Sequence, residues 1–134
     1  MTKIIHKTES EWQTCLTPQE YKVLRQKSTE LAFSGKYYKH DLQGIYVCAA
    51  CGLELFQSDR KYDSGSGWPS FWEAIDQKRI VERKDDTFGM TRIEIACGRC
   101  SSHLGHLFPD GPKPTGDRYC VNSVSLDFKE IDKT

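Results

Sequence analysis

The sequence lacks net charge, long apolar runs and repetition, and each absence removes a class of function. Nineteen basic and nineteen acidic side chains cancel in 134 residues. That leaves no electrostatic footprint for nucleic acid or for an anionic membrane. The opening residues, Met-Thr-Lys-Ile-Ile-His-Lys-Thr-Glu-Ser, have no apolar core of a secretory signal, and no later stretch reaches the roughly 20 apolar residues of a membrane span. The expectation is a cytoplasmic protein with no nucleic-acid and no membrane partner. No low-complexity segment occurs, and the only repeated unit is a doubled Cys-x-x-Cys. A charged fraction of 28% with plentiful aromatics suits a soluble folded domain. The chain length predicts one domain, 1–134, with 1–36 as an N-terminal helical segment.

Local chemistry then divides the chain. Thr17-Pro18-Gln19-Glu20 has the form of a helix start, with a capping threonine, proline in the first turn and glutamate closing a capping box. Leu16 and Tyr21 are set to form a hydrophobic staple, and the spacing predicts a helix from Pro18 to about Glu30, preceded by a short one around Glu9 to Cys15. From Gly44 onward short β-like runs alternate with glycine and polar clusters. Strands are expected at Ile45 to Val47, Leu53 to Phe56, Arg79 to Arg83, Met90 to Ala96 and Tyr119 to Phe128. Ile93, Ile95 and Cys97 alternate with Arg92, Glu94 and Ala96, which predicts an antiparallel strand with its apolar side buried. The fold class is mainly β (α+β), with small antiparallel sheets and N-terminal helices.

Six cysteines are present. In a reducing compartment paired spacings point to metal or redox chemistry rather than to disulfides. Cys48-Ala49-Ala50-Cys51-Gly52 and Cys97-Gly98-Arg99-Cys100 together offer four thiolates, the complement of one tetrahedral zinc, with no open position for water. Such an ion is structural. Iron in a rubredoxin-like site uses similar thiolate turns and is the rival; a pair of unrelated dithiols is the plainer alternative. The metal reading leaves Cys15 and Cys120.

Cys120 sits in Arg118-Tyr119-Cys120-Val121-Asn122-Ser123. As a strand this puts Arg118, Cys120 and Asn122 on one face, so a cation lies on the side of the sulfur, where it favours thiolate. A buried cysteine that merely packs is the alternative. Tyr62-Asp63-Ser64-Gly65-Ser66-Gly67-Trp68-Pro69-Ser70-Phe71 joins a glycine-rich turn to an indole, which serves either a ligand or the core. His103-Leu104-Gly105-His106 follows the second cysteine pair directly. Its imidazoles are read as acid and hydrogen-bond donors, or else as metal ligands.

These motifs, in this order, resemble methionine sulfoxide reductase B, from about Leu16 to Phe128. Lys61-Tyr62-Asp63-Ser64-Gly65, Gly67-Trp68-Pro69-Ser70-Phe71, Arg92-Ile93-Glu94-Ile95, His103-Leu104-Gly105-His106, Phe108-Pro109-Asp110-Gly111 and Arg118 to Ser123 carry the likeness together with the cysteine pairs. The resemblance implies reduction of the R epimer at sulfur of methionine sulfoxide, free or in proteins, on a β-rich fold with a structural zinc. It implies Cys120 as the nucleophile, forming a sulfenic acid. Trp68 then packs on the substrate methyl group, and His103, His106, Asp110, Arg118 and Asn122 form a polar pocket. A sulfoxide oxygen leaves only when protonated, and His103 is the first choice of donor, with His106 or Asn122 as partner.

One position departs from the pattern. Ser66 stands where many members of that family carry the cysteine that resolves the sulfenic acid. Cys15 is the remaining candidate, through a Cys15–Cys120 disulfide that thioredoxin reduces; direct attack by an external thiol such as glutathione or a glutaredoxin is the other route. Two further classes use fewer of these residues. A zinc-ribbon binding module gives Cys120 and the histidines no role, and a rubredoxin-like electron carrier would hold iron and be coloured.

Overall fold

The computed structural model describes residues 5–86, 89 and 91–131; Met90, the expected first residue of a strand, lies outside the described residues. Helix α1 (Glu9–Cys15) and helix α2 (Pro18–Leu24) each begin with a capping box. In α2 the Thr17 hydroxyl accepts from the Glu20 N–H at 3.1 Å while the Glu20 carboxylate accepts from the Thr17 N–H at 2.9 Å. Thr8 and Glu11 repeat the arrangement at α1. Helices this short do not persist alone. They are held by packing: Trp12, Leu16, Tyr21 and Leu24 are all in the core. The second helix ends at Leu24 rather than near Glu30, and Lys27 and Phe33 in the following irregular segment have positive φ.

The remainder forms two antiparallel sheets. Strands β1 (Gly44–Cys48), β2 (Glu54–Gln57) and β9 (Leu126–Glu130) form one, in the order β2-β1-β9. The other contains β3 (Lys61–Tyr62), β4 (Ser70–Phe71), β5 (Ile80–Asp85), β6 (Arg92–Cys97), β7 (His103–Phe108) and β8 (Arg118–Val121), in the order β3-β4-β8-β7-β6-β5. One hydrophobic cluster joins them. Phe56 from the smaller sheet stacks on Phe71 from the larger at 4.4 Å between ring centroids, and Tyr46, Leu55, Ile95 and Tyr119 close around the pair. No methionine occurs among the described residues, so this core is filled by aromatics, leucine, isoleucine and valine.

Two further expectations need correction. The run Tyr119 to Phe128 is not one strand: β8 ends at Val121, a 3-10 turn spans Ser123–Ser125, and β9 continues in the other sheet. Asn122 breaks the run. Its backbone N–H and side-chain amide both donate to the Leu104 carbonyl, at 2.9 and 3.1 Å, and its own carbonyl accepts from Ser125. The alternation expected in β6 is also inverted at its start, with Ile93 exposed at 41% and Glu94 buried at 3%. Glu94 is buried among His103, Lys27 and Arg83, which pair with its carboxylate, and Ile95, Ala96 and Cys97 are then buried consecutively.

Candidate active site and metal centre

The two Cys-x-x-Cys turns converge from different sheets. Cys48 ends β1 and Cys97 ends β6, and each turn closes with a backbone bond back to its first cysteine, from Gly52 and from Ser101, both at 2.8 Å. Gly52 has φ +81 and Ser101 has φ 64, so a left-handed residue follows the second cysteine of each pair. In the second turn that residue is a serine rather than Gly98. The four Sγ atoms lie within 4.8 Å of one another, with Cys48–Cys100 at 3.7 Å and Cys51–Cys97 at 3.6 Å. A tetrahedral ion with bonds near 2.3 Å needs sulfur–sulfur edges of about 3.8 Å, so the set fits zinc.

The donor chemistry agrees. Hydrogen bonds from neighbouring thiols, Cys100 first for Cys51 and Cys48 first for Cys100, hold Cys51 far below the usual thiol value and bring Cys100 to about 7, whereas Cys48 and Cys97 are pushed upward. Four sulfurs this close cannot all ionise without a cation among them. Arg99 supplies N–H donors to Cys97 and Cys51 at 3.5 and 3.4 Å. Arg25 ties the helices to the same turn by donating to the Cys100 carbonyl at 2.8 Å while its guanidinium lies 4.6 Å over the Trp12 ring.

Cys120 lies in the middle of β8, opposite Ser70 of β4 and His106 of β7. It opens on a cavity of about 220 Å³ lined also by Ser66, Trp68, Arg92, His106, Arg118 and Asn122. A larger surface groove of about 860 Å³, lined by Tyr38, His40, Lys61 and Ile131 among others, shares no residue with it. The expected Arg118–Cys120 face is present. Even so, burial pushes the Cys120 thiol up, and the Arg118 charge and the Ser66 hydroxyl offset this only in part. Arg118 is itself engaged: Asp110 accepts from its guanidinium at 2.8 and 3.2 Å, and Phe108 lies beneath it at 4.2 Å. Asp110 therefore reaches the site through Arg118, and is not among the residues lining the cavity.

The histidines differ in position. His106 lines the cavity, and its Nε2 is 2.8 Å from Asp85 Oδ2. Burial moves its imidazole below the usual value, against the hydrogen bond to Asp85. His103 stands behind it, 3% exposed, with ring centroids 5.6 Å apart and Nδ1 2.8 Å from Glu94 Oε2. Its Nε2 is buried with no hydrogen-bond partner. Neither imidazole belongs to the cysteine cluster, so the ligand alternative is not supported.

Trp68 and Asn122 are joined by a residue the sequence did not single out. The Glu30 carbonyl accepts from the indole Nε1 at 3.0 Å, while the Glu30 N–H donates to Asn122 Oδ1 at 3.0 Å. The Glu30 carboxylate accepts from the Val124 N–H at 2.9 Å. Glu30 was missed because its contacts to Trp68 and Asn122 run through its backbone, which leaves no side-chain motif. Buried Glu94 was missed because its partners His103, Arg83 and Lys27 lie on other elements. Cys15, the expected resolving residue, is exposed at the end of α1 with Lys7 Nζ 3.7 Å from its sulfur, and contributes nothing to the cavity lining.

Residues 16–130 match the SelR domain. Over 127 residues the chain is 57% identical to a peptide methionine sulfoxide reductase MsrB of Methanosarcina barkeri, covering 95% of this chain and 89% of that protein. Proteins of the same name from Methanosarcina mazei and Thiobacillus denitrificans are each 55% identical, covering 97% and 94% of this chain and 93% and 96% of theirs.

Proposed function

The chain belongs to the SelR domain family of peptide methionine sulfoxide reductases, and from that membership we propose that it reduces the R epimer at sulfur of methionine sulfoxide with Cys120 as nucleophile. The observation that carries the proposal is one juxtaposition: a half-buried thiol, an indole, an imidazole and an arginine around a single small cavity. The Cys120 thiolate attacks the sulfoxide sulfur while the oxygen takes a proton. The S–S bond so formed then breaks as the protonated oxygen passes from the substrate sulfur to the Cys120 sulfur; the electron pair leaves with methionine, and a sulfenic acid remains on Cys120. His106, in the cavity wall, is nearer this chemistry than His103, so the proton is assigned to His106 with His103 as its support.

Epimer choice follows from the two kinds of wall. The Trp68 face receives the methyl group, and the His106, Arg118 and Asn122 side receives oxygen. Exchanging the two would leave buried polar groups unpaired. Zinc held by Cys48, Cys51, Cys97 and Cys100 would supply structural cross-linking between the sheets.

The sulfenic acid then condenses with a second thiol and releases water. Cys15 is the chain's own candidate, giving a disulfide for thioredoxin. An external thiol attacking directly is favoured by the absence of α1 residues from the cavity lining. Racemic methionine sulfoxide with dithiothreitol tests the first step: loss of the R epimer alone is expected, abolished in Cys120→Ser. Zinc-loaded protein inactive on both epimers would overturn it. Peptide mapping of Cys15→Ser after one turnover separates the two routes, since thioredoxin-supported activity persists only if Cys15 is dispensable.

A further inference from the structure

We propose that Asp85 is a positioning residue: its carboxylate fixes His106 as the Nε2–H tautomer, so that Nδ1 is the nitrogen that delivers the proton to the substrate oxygen. The proposal rests on the reductase reading above. Asp85 ends β5, is 16% exposed, and its Oδ2 lies 2.8 Å from His106 Nε2, with His106 13% exposed. Arg92, its cross-strand partner, has Nη2 3.6 Å from the same oxygen and also lines the cavity. A carboxylate beside a guanidinium is ionised and can only accept, so the shared hydrogen is carried by Nε2. No hydrogen bond engages His106 Nδ1 among the described residues.

The ring is also braced from behind. His103 meets it edge to face, and His103 is tied in turn to Glu94, whose carboxylate is compensated by Lys27 Nζ at 3.2 Å and Arg83 Nη2 at 3.6 Å. Among the described residues, the charged and titratable groups facing His106 are Asp85 from β5, Arg92 and the directly opposite Glu94 from β6, His103 on its own strand, and Cys120 and Arg118 from β8. In the proton step the Nδ1–H bond of a doubly protonated ring breaks and an O–H bond forms on the sulfoxide oxygen. The ring is left neutral with Nε2–H, and Asp85 keeps its charge throughout. Solvent later restores the Nδ1 proton. Asp85 touches neither substrate nor sulfur, and acts only through His106.

The test uses zinc-loaded full-length protein with ¹⁵N-labelled histidine. Two-bond ¹H–¹⁵N correlations are expected to show the Nε2–H tautomer for His106 in the wild type and a shift toward Nδ1–H in Asp85→Asn. In the same variant kcat should fall at least about tenfold with KM within about twofold, and Asp85→Glu should restore part of it. The kcat limb belonging to His106 should move to lower pH in Asp85→Asn. An Nδ1–H wild-type ring overturns the proposal even where the variant fails to fold, and so does an Asp85→Asn enzyme with unchanged kcat. Inactivity of the wild type on both epimers would instead sink the reductase reading, with the tautomer measurement still deciding what Asp85 does.

Discussion

Ser66 Oγ stands 4.0 Å from Cys120 Sγ, at the end of a hydroxyl chain in which Ser64 contacts Ser66 at 2.8 Å and Ser70 at 2.7 Å. A thiol in place of this hydroxyl would need to close to about 2.05 Å to bond Cys120. Gly65 and Gly67, with φ +75 and +94, flank Ser66. Ser66→Cys in a Cys15→Ser background is therefore expected to give thioredoxin-supported turnover through a disulfide to Cys120. The check is peptide mapping after one equivalent of substrate. Continued trapping of the sulfenic acid by dimedone would show that the turn cannot close the gap.

Cys120 reactivity should rise with pH across a range above that of an ordinary thiol, because burial raises its pKa and Arg118 and Ser66 only partly compensate. Alkylation by iodoacetamide, followed by mass spectrometry, measures this. Arg118→Gln removes the compensating charge, so its midpoint should move further up and its rate at neutral pH should drop several-fold. An unchanged midpoint would mean that Asp110 already cancels the guanidinium at the sulfur.

Glu94 makes acid stability measurable. Burial would raise its carboxyl, but hydrogen bonds from His103 and Lys27 and the Arg83 charge win and hold it at about 2 against an ordinary 4.5. A depressed folded value means that the stabilisation is present above about pH 4.5 and is lost as pH falls toward about 2. Glu94→Gln should cost about 1–3 kcal/mol at neutral pH, the lower range for a buried pair whose cationic partners reach solvent. Thermal melts of wild type and variant should converge across that window. A constant difference down to the lower limit would refute the charge argument.

Metal removal should act on both sheets together, since Cys48 and Cys51 lie on the turn that leaves β1 and Cys97 and Cys100 on the turn that leaves β6. Chelation under mild denaturant should release one zinc per chain and lower the melting temperature by more than about 10 °C. Elemental analysis with calorimetry checks this. Iron in purified, coloured protein would favour the rubredoxin-like alternative, and unchanged melting would deny the ion its structural role.

The features legible in the sequence were those decided by neighbours along the chain. Thr17 and Glu20 announce a helix because their bonds close within one turn, and the cysteine pairs announce a four-sulfur cluster because the spacing within each pair is local. Cys120 beside Arg118 needed only a two-residue period. What escaped depended on distant partners. Asn122 ends β8 by binding Leu104, and buried Glu94 finds its partners His103, Arg83 and Lys27 on other elements. His103–Phe108 read as a site motif and not as a strand, partly because Gly105 interrupts it. A Cβ at Gly105 would lie 1.9 Å from the Cys120 carbonyl, so the glycine is what allows β7 to approach β8. The order of His103 and His106 relative to the cavity also follows from that pairing, which motif spacing does not encode.

Among the described residues the core contains no methionine, the chain's two methionines being Met1 and Met90. An oxidant that converts a buried thioether to a sulfoxide places a polar group in a packed interior. Phe56, Phe71, Tyr46, Leu55 and Ile95 offer no thioether for that reaction. Oxidant reaching the described core would find sulfur only in its cysteines. No described core side chain can therefore suffer the lesion that the family's substrate carries.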